Sequence, residues 1–188
     1  MKKKLIIGIA GEIAAGKTTV SDYLKEKYGA ITFRFSDMLS DILDRLYLPR
    51  EREQYQILSK ALRQNFSEDL MSKVLTKDVQ TSEHNLIITE GIRRPTDVTY
   101  LKDLEGFVMI ALNVEPKTRY ERLLTRGEKA DDVTKTWEEF EREDNAESEQ
   151  KIREIKEDAQ YNIDNNGSIE ELYAAIDTII AEQYESEN

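Results

Sequence analysis

Residues 11–18 read Gly-Glu-Ile-Ala-Ala-Gly-Lys-Thr, which satisfies the pattern G-x-x-x-x-G-K-[ST]. The chemistry open to such a string is phosphate binding. Gly11 and Gly16 permit a backbone course in which the N–H groups of Glu12, Ile13, Ala14 and Ala15 face one anion. A helix starting at the end of the string adds the positive end of its dipole. Lys17 reaches the β- and γ-phosphates, the Thr18 hydroxyl is a ligand for Mg²⁺, and Thr19 completes the expected ATP-binding set. ATP with Mg²⁺ is therefore the expected cofactor, and Lys17 the first catalytic candidate.

A second constellation follows the apolar run Leu86-Ile87-Ile88: Thr89-Glu90-Gly91-Ile92-Arg93-Arg94-Pro95. An acidic residue at a strand end beside a phosphate loop is placed to hold Mg²⁺ through water, which makes Glu90 a metal candidate beside Thr18. Arg93 and Arg94 can grip a phosphate with their guanidinium forks. Asp37, expected just after the second strand, could orient or deprotonate an acceptor hydroxyl or help order Mg²⁺. Its alternative role, shared with Ser36, is a helix N-cap. Arg119, Arg122 and Arg126 recur at i, i+3 and i+7, one helical face. Arg122 and Arg126 lead as catalytic candidates that stabilise charge on the transferring phosphoryl group. The plainer alternative pairs the three with Glu115, Glu121 and Glu128 on a solvated surface.

These residues need elements to position them. A continuous apolar run at residues 5–10 predicts a parallel strand covered on both faces. Further strands are expected over 30–35, 86–89, 107–114 and 161–164. Helices are expected over 18–27, 37–47, 52–66 and 68–79, and one opens at Pro116. The capping box Thr136 to Glu139 opens a long charged helix over 137–158, and a second box, Ser168 to Glu171, opens the last helix. In the long helix Glu147 with Lys151 and Glu149 with Arg153 sit at i, i+4 spacing, which reads as a solvated face, while Trp137 and Phe140 read as packing residues. Strands alternating with helices predict an α/β fold: one five-stranded parallel sheet flanked by helices, in a single domain over 1–188. The helical insertion between strands two and three, about 36–82, would bind the acceptor, and a polar segment, about 127–135, would form a lid. The segments at 11–18, 36–37 and 90–94 all follow strand ends, where open parallel sheets bind ligands.

Composition removes several alternatives. There is no Cys, which excludes disulfides, thiolate metal sites and a cysteine nucleophile. The one His, His84, cannot build a multi-His site and lies in a polar turn. A net charge of −11 disfavours duplex nucleic acid as a partner, and a polynucleotide kinase with it. No run approaches the ~20 apolar residues of a membrane span. A cytoplasmic monomer or homodimer is expected.

With these motifs in hand, the chain resembles the nucleoside monophosphate kinase superfamily of P-loop kinases, in its (deoxy)nucleoside monophosphate kinase and dephospho-CoA kinase branch. Four segments carry the likeness: GEIAAGKT; Phe35-Ser36-Asp37-Met38-Leu39, similar to the family's acceptor-side Gly-Asp-Met-Leu; Glu90-Gly91-Ile92-Arg93-Arg94, similar to Asp-Gly-Phe-Pro-Arg; and residues 119–144, similar to a helix, a lid and the helix after it. The resemblance carries a phosphate-binding role onto Arg94. It also implies that the loop Asn162-Ile163-Asp164-Asn165-Asn166-Gly167-Ser168 approaches adenine, with Asn166 in the ATP site. There are departures. Ser40 stands where adenylate kinases carry Arg, so an acceptor arginine must come from elsewhere, with Arg45 and Arg63 as candidates. Only Ser36-Asp37 stands where dephospho-CoA kinases show Asp-x-Asp. Several arginines against one acid, Asp37, favour an acceptor that offers its own phosphate. The expected reaction is transfer of the ATP γ-phosphoryl group to a small nucleotide-like acceptor, most favourably a (deoxy)nucleoside monophosphate. Dephospho-CoA is the rival acceptor, and an ATP-binding regulatory module with little turnover is the rival function.

Overall fold

The structure, a computed structural model, describes residues 4–126 and 132–185. Five strands, β1 (Leu5–Ala10), β2 (Ile31–Arg34), β3 (Leu86–Glu90), β4 (Phe107–Asn113) and β5 (Tyr161–Asp164), form one parallel sheet in the order β2-β3-β1-β4-β5. The central strand β1 is buried along its whole length, which is why its sequence is apolar without alternation. Its register sets Gly8 beside Thr89 of β3 and Met109 of β4. All carboxyl ends point the same way, so the turns after β1, β2 and β3 converge at one edge.

Among the described residues eight helices surround the sheet. On one face α1 (Lys17–Tyr28) and α8 (Ile169–Glu185) pack through Val20, Leu24, Leu172 and Ile176 onto Ile7, Ile9 and Ile110. On the other, α2 (Phe35–Arg45), α4 (Leu70–Thr81) and α7 (Glu147–Glu157) close over Ile6, Ile87 and Met109 with Phe35, Leu75 and Ile155. Between them in the chain lie α3 (Arg52–Asn65), α5 (Pro116–Arg126) and α6 (Trp137–Asp144). The insertion between β2 and β3 is the helical set α2, α3 and α4. α3 has no fully buried residue: Tyr55, Leu58 and Leu62 pack partly buried against the core, while Arg52 and Lys60 are exposed. Among the described residues no helix is long and apolar enough to cross a membrane.

Two local expectations change. The charged helix expected over 137–158 is two helices, α6 and α7, broken at Asn145-Ala146. The Asn145 side chain donates to the Glu141 carbonyl at 2.9 Å, and Ala146 is extended, with φ −63° and ψ 152°. The break re-aims α7 against the phosphate loop, so its inner face is buried at Glu149, Ile152 and Ile155 instead of solvated. At the second site, β2 gives way to α2 one residue early. Arg34 is the N-cap, and the Asp37 carboxylate accepts from the Arg34 backbone N–H at 2.7 Å. Both capping boxes form as expected: Thr136 with Glu139 and Ser168 with Glu171 exchange reciprocal bonds of 2.8–3.3 Å. Trp137 and Phe140 pack with Tyr120, ring centres 5.4–5.6 Å apart, and Phe140 is fully buried.

Candidate active site

The loop from Gly11 to Gly16 joins β1 to α1 and is shaped by two left-handed residues, Ala14 at φ 59° and Gly16 at φ 98°. A side chain at Gly16 would strain that backbone and drive a Cβ to 2.6 Å from the Asn165 amide nitrogen. The Lys17 ammonium folds back over the loop, donating to the carbonyls of Gly11 at 2.5 Å and Glu12 at 2.9 Å. Burial holds its pKa down to about 8; nearby Arg93 and Arg126 push the same way, while Glu149 and Glu12 oppose them. A polyphosphate would restore the charge. ATP binding at pH 8 is therefore expected to take up roughly half a proton. Calorimetry in buffers of different ionisation enthalpy measures this, and proton-neutral binding would contradict it.

Two cavities flank the strand ends. The first, about 480 Å³, has the loop and the start of α1 as its floor (Ala14 to Thr19), Arg122 and Arg126 on one side, and Asn165, Gly167, Ile169 and Leu172 on the other. The second, about 1030 Å³, lies between the helical insertion and the Glu90 to Asp97 turn. It is lined by Arg63, Arg93, Arg94 and Glu90, with Phe35, Leu39 and Met71 as apolar wall. The expected residues thus divide. Lys17, Thr18, Thr19, Arg122 and Arg126 meet in the first cavity; Arg63, Arg93, Arg94 and Glu90 meet in the second.

Several candidates are placed differently. Asn166 turns away, accepting from the Glu115 N–H at 2.8 Å and donating to Asp164; its neighbour Asn165 faces the loop and donates to the Ala15 carbonyl at 2.9 Å. Asp37 spends its carboxylate on the Arg34 backbone and lines neither cavity, and Arg45 lines neither as well. Glu90 lies 2.7 Å from Arg34 and 3.9 Å from Lys25. Arg63 is tied to Asp97 at 3.4 Å and to the Glu68 carbonyl, and Arg94 to Glu68 at 3.4 Å. Of the lid segment, 127–131 lies outside the described residues. Its following part is a short 3-10 turn, Asp132–Thr134, whose Asp132 lies 4.0 Å from Arg126.

A buried ionic brace under the loop was not foreseen. The Glu12 carboxylate turns away from the first cavity to Lys156 at 2.8 Å and Arg153 at 3.3 Å, both on α7. The Ile13 N–H donates to Glu149 at 3.0 Å. Arg119, only 2% exposed, donates to Asp144 at 2.7 Å and to the Val114 carbonyl, and Asp144 also takes Arg153 at 2.7 Å. Burial pushes both the Glu12 and Asp144 carboxyls up. The cations Lys156 for Glu12, and Arg119 with Arg153 for Asp144, outweigh it and leave both below the usual range. Arg119 thus parts from Arg122 and Arg126. It pairs with Asp144 rather than with the glutamates of its own helix, and it supports the loop from beneath.

The first cavity fits ATP through Lys17, two arginines and an apolar slot, but the expected ring of loop amides is incomplete: the Ile13 N–H is turned to Glu149 and the Ala15 N–H to the Glu12 carbonyl, and Gly11, Glu12 and Ile13 do not line the cavity. Among the described residues no group of three or more acidic or His side chains gathers for a metal. Mg²⁺ does not need one, because it takes one or two protein oxygens together with phosphate and water. Of the two expected ligands, Thr18 lines the first cavity, whereas Glu90 lines the second with its carboxylate 2.7 Å from Arg34.

A family model described as AAA domain matches residues 7–162. The chain is 31% identical over 145 residues to a UPF0200 protein of Thermococcus sibiricus, covering 74% of this chain and 75% of that one. The chain belongs to the AAA-domain family and to the UPF0200 proteins. A UPF0200 protein of Staphylothermus marinus is 29% identical over 171 residues, covering 91% of this chain and 88% of its own. Among solved structures, TT1252 from Thermus thermophilus superposes with a TM-score of 0.61 at 21% identity, covering 96% of this chain and 98% of its own. Shikimate kinase from Bacteroides thetaiotaomicron superposes at 0.56 and 15% identity, over 94% and 98% of the two chains. The fold of this AAA-domain chain is that of the P-loop kinases.

Proposed function

We propose that the chain transfers the γ-phosphoryl group of MgATP to a small nucleotide acceptor, most favourably a (deoxy)nucleoside monophosphate. The observation that carries this reading is the pairing of cavities: a phosphate-loop cavity and an arginine-lined cavity open at the same sheet edge, with Lys17 and Arg93 close enough to interact. A phosphate oxygen of the acceptor attacks the γ-phosphorus, the bond to the β-phosphate oxygen breaks, and ADP leaves. Two anions must approach each other, so neutralisation is the main task. The loop amides and Lys17 hold the β- and γ-phosphates, Arg122 and Arg126 offset charge on the transferring group, and Arg93, Arg94 and Arg63 hold the acceptor. Thr18 and Glu90 would hold Mg²⁺, which would supply charge neutralisation to the polyphosphate. Asn165 with Ile169 and Leu172 would receive the base. A hydroxyl acceptor such as dephospho-CoA gains from a free carboxylate base, and Asp37 is committed to the Arg34 N–H.

Steady-state ADP release with a panel of ribo- and deoxynucleoside monophosphates tests this, with dephospho-CoA as the comparison. At least one monophosphate is expected to raise ADP release well above the acceptor-free rate. Activity with dephospho-CoA alone would overturn the preferred acceptor, and no response to any acceptor would favour a regulatory module. For the Arg94→Ala variant, kcat/KM for the acceptor is expected to fall ten- to hundredfold. That is the worth of a charged hydrogen bond, ~1.5–3 kcal/mol, and ATP affinity should stay nearly unchanged. Unchanged acceptor kinetics would return Arg94 to the surface turn it shares with Glu68.

A further inference from the structure

Glu149 stands in the first turn of α7, is 8% exposed, and its carboxylate accepts the Ile13 N–H of the phosphate loop at 3.0 Å. The other buried acids are paired with cations: Glu12 with Lys156 and Arg153, Asp97 with Arg63, Asp132 with Arg126, and Asp144 with Arg119 and Arg153. Among the described residues Glu149 meets no Lys or Arg nitrogen within 4.0 Å, and the loop amide is its one hydrogen bond. Arg153, one turn further at i+4, goes to Glu12 and Asp144 instead. A buried carboxylate with one hydrogen bond and no cation in contact is costly to keep charged. What offsets its charge is the loop itself: the Ile13 N–H and the Lys17 ammonium, on which Glu149 acts more strongly than Glu12 does. Amides and an ammonium are what a phosphate loop offers a polyphosphate. In the free protein an internal anion draws on both. The rest of α7 is fastened, by Glu12 through Lys156 and Arg153 and by burial of Ile152 and Ile155. Freeing the amide needs only the Glu149 side chain to turn.

We infer that Glu149 is a positioning residue for nucleotide binding: its carboxylate substitutes for a phosphate in the empty loop and gives up the Ile13 N–H when a polyphosphate enters. The ligands it competes with are those that bring two or more linked phosphates to Lys17. Two consequences follow from the charge. The loop keeps its shape when empty, because one of its amides is never left without an acceptor. Every polyphosphate, ATP and ADP alike, binds against one internal negative charge, so removing that charge tightens binding. This inference concerns nucleotide binding alone and is independent of the acceptor.

The test is calorimetric titration of the full chain with ATP, ADP, tripolyphosphate and adenosine, all with Mg²⁺. Glu149→Gln keeps the shape and an acceptor for the Ile13 N–H but removes the charge. The three polyphosphates are expected to bind this variant roughly tenfold more tightly, and adenosine to change by less than about twofold. Glu149→Asp keeps the charge, so its polyphosphate affinities should stay within about threefold of those of the unaltered protein. A merely structural brace gives the opposite sign. Polyphosphate affinity unchanged or weakened in Glu149→Gln, an equal gain for adenosine, or the same gain in Glu149→Asp would each overturn the inference. The unaltered protein gives a second readout by NMR, the coupling across the hydrogen bond from the Ile13 nitrogen to the Glu149 carboxyl carbon. It should be present in the free protein and vanish with saturating MgATP; its persistence, or its absence from the free protein, would also overturn the inference. If the polyphosphates tighten as expected but no acceptor is phosphorylated, this inference stands and the transfer reading falls. If an acceptor is phosphorylated and Glu149→Gln binds ATP no more tightly, the transfer reading stands and this inference falls. If neither ATP nor tripolyphosphate binds the unaltered protein, both fall.

Discussion

Lys17→Ala is expected to lower phosphoryl transfer by on the order of 10²–10³-fold or more, the loss typical of removing a charge-stabilising group from a site that excludes water. Among the described residues the lysine folds over the loop and bonds to the carbonyls of Gly11 and Glu12, so its removal strips a positive charge from the β/γ-phosphate position without opening the core. Burial already disfavours the ammonium ion in the free protein, which is why its pKa falls to about 8. Removing it should therefore cost little stability, and the variant's melting curve should overlay that of the unaltered protein. The sign also fixes a pH dependence. Between pH 8 and the ordinary lysine value near 10.4 the unfolded chain binds more protons at this site, so its contribution to stability rises with pH across that window. Turnover undiminished in a folded Lys17→Ala protein would remove the phosphate-loop mechanism.

The largest expected effect on stability comes from Asp144→Ala. Arg119 is 2% exposed, and its guanidinium is held by the Asp144 carboxylate at 2.7 Å. Deleting the acid leaves a buried cation without its carboxylate partner and leaves Arg153 with Glu12 as its remaining acidic partner. Losing one side of a buried pair costs roughly 3–5 kcal/mol, on the order of 10 °C in Tm for a chain of this size. Because Arg119 and Arg153 hold the Asp144 carboxyl low in the folded state against the effect of burial, its stabilisation is fully present above the ordinary carboxylate range near 4. It is lost as pH falls through the lowered folded value. Urea melts over a descending pH series should therefore separate the variant from the unaltered protein most at pH 7 and progressively less as the pH falls below the ordinary carboxylate range near 4. Equal stability of the two at pH 7 would show that the brace is a surface pair after all.

Much of the fold and part of the site were legible in the residues alone. β1 and the loop after it were readable because a strand buried on both faces tolerates only apolar residues, and the phosphate loop restricts its glycines and lysine by spacing. The break between α6 and α7 was not readable. Glu149 and Arg153 satisfy the local i, i+4 rule equally well as a solvated pair, and only the loop they meet, at Ile13 and Glu12, reassigns them. Arg119 and Arg126 share a helical face, but seven residues separate them by about 10 Å along the axis. That height puts one against Asp144 and the other at the ATP-side cavity. Asn165 and Asn166 differ by a single step just after β5: Asn165 lines the first cavity, while Asn166, the residue expected there, bonds Glu115 and Asp164.

The central claim is that phosphorus moves from ATP to a second small molecule, and following the label measures this most directly. ATP labelled in its γ-phosphoryl group, incubated with Mg²⁺, the protein and the panel of nucleotide acceptors, is expected to yield label in a phosphorylated acceptor, in amounts equal to the ADP formed. The Lys17→Ala protein should yield none above background. Label recovered only as inorganic phosphate, at the same rate with and without every acceptor, would contradict the account and leave a nucleotide-hydrolysing module in its place.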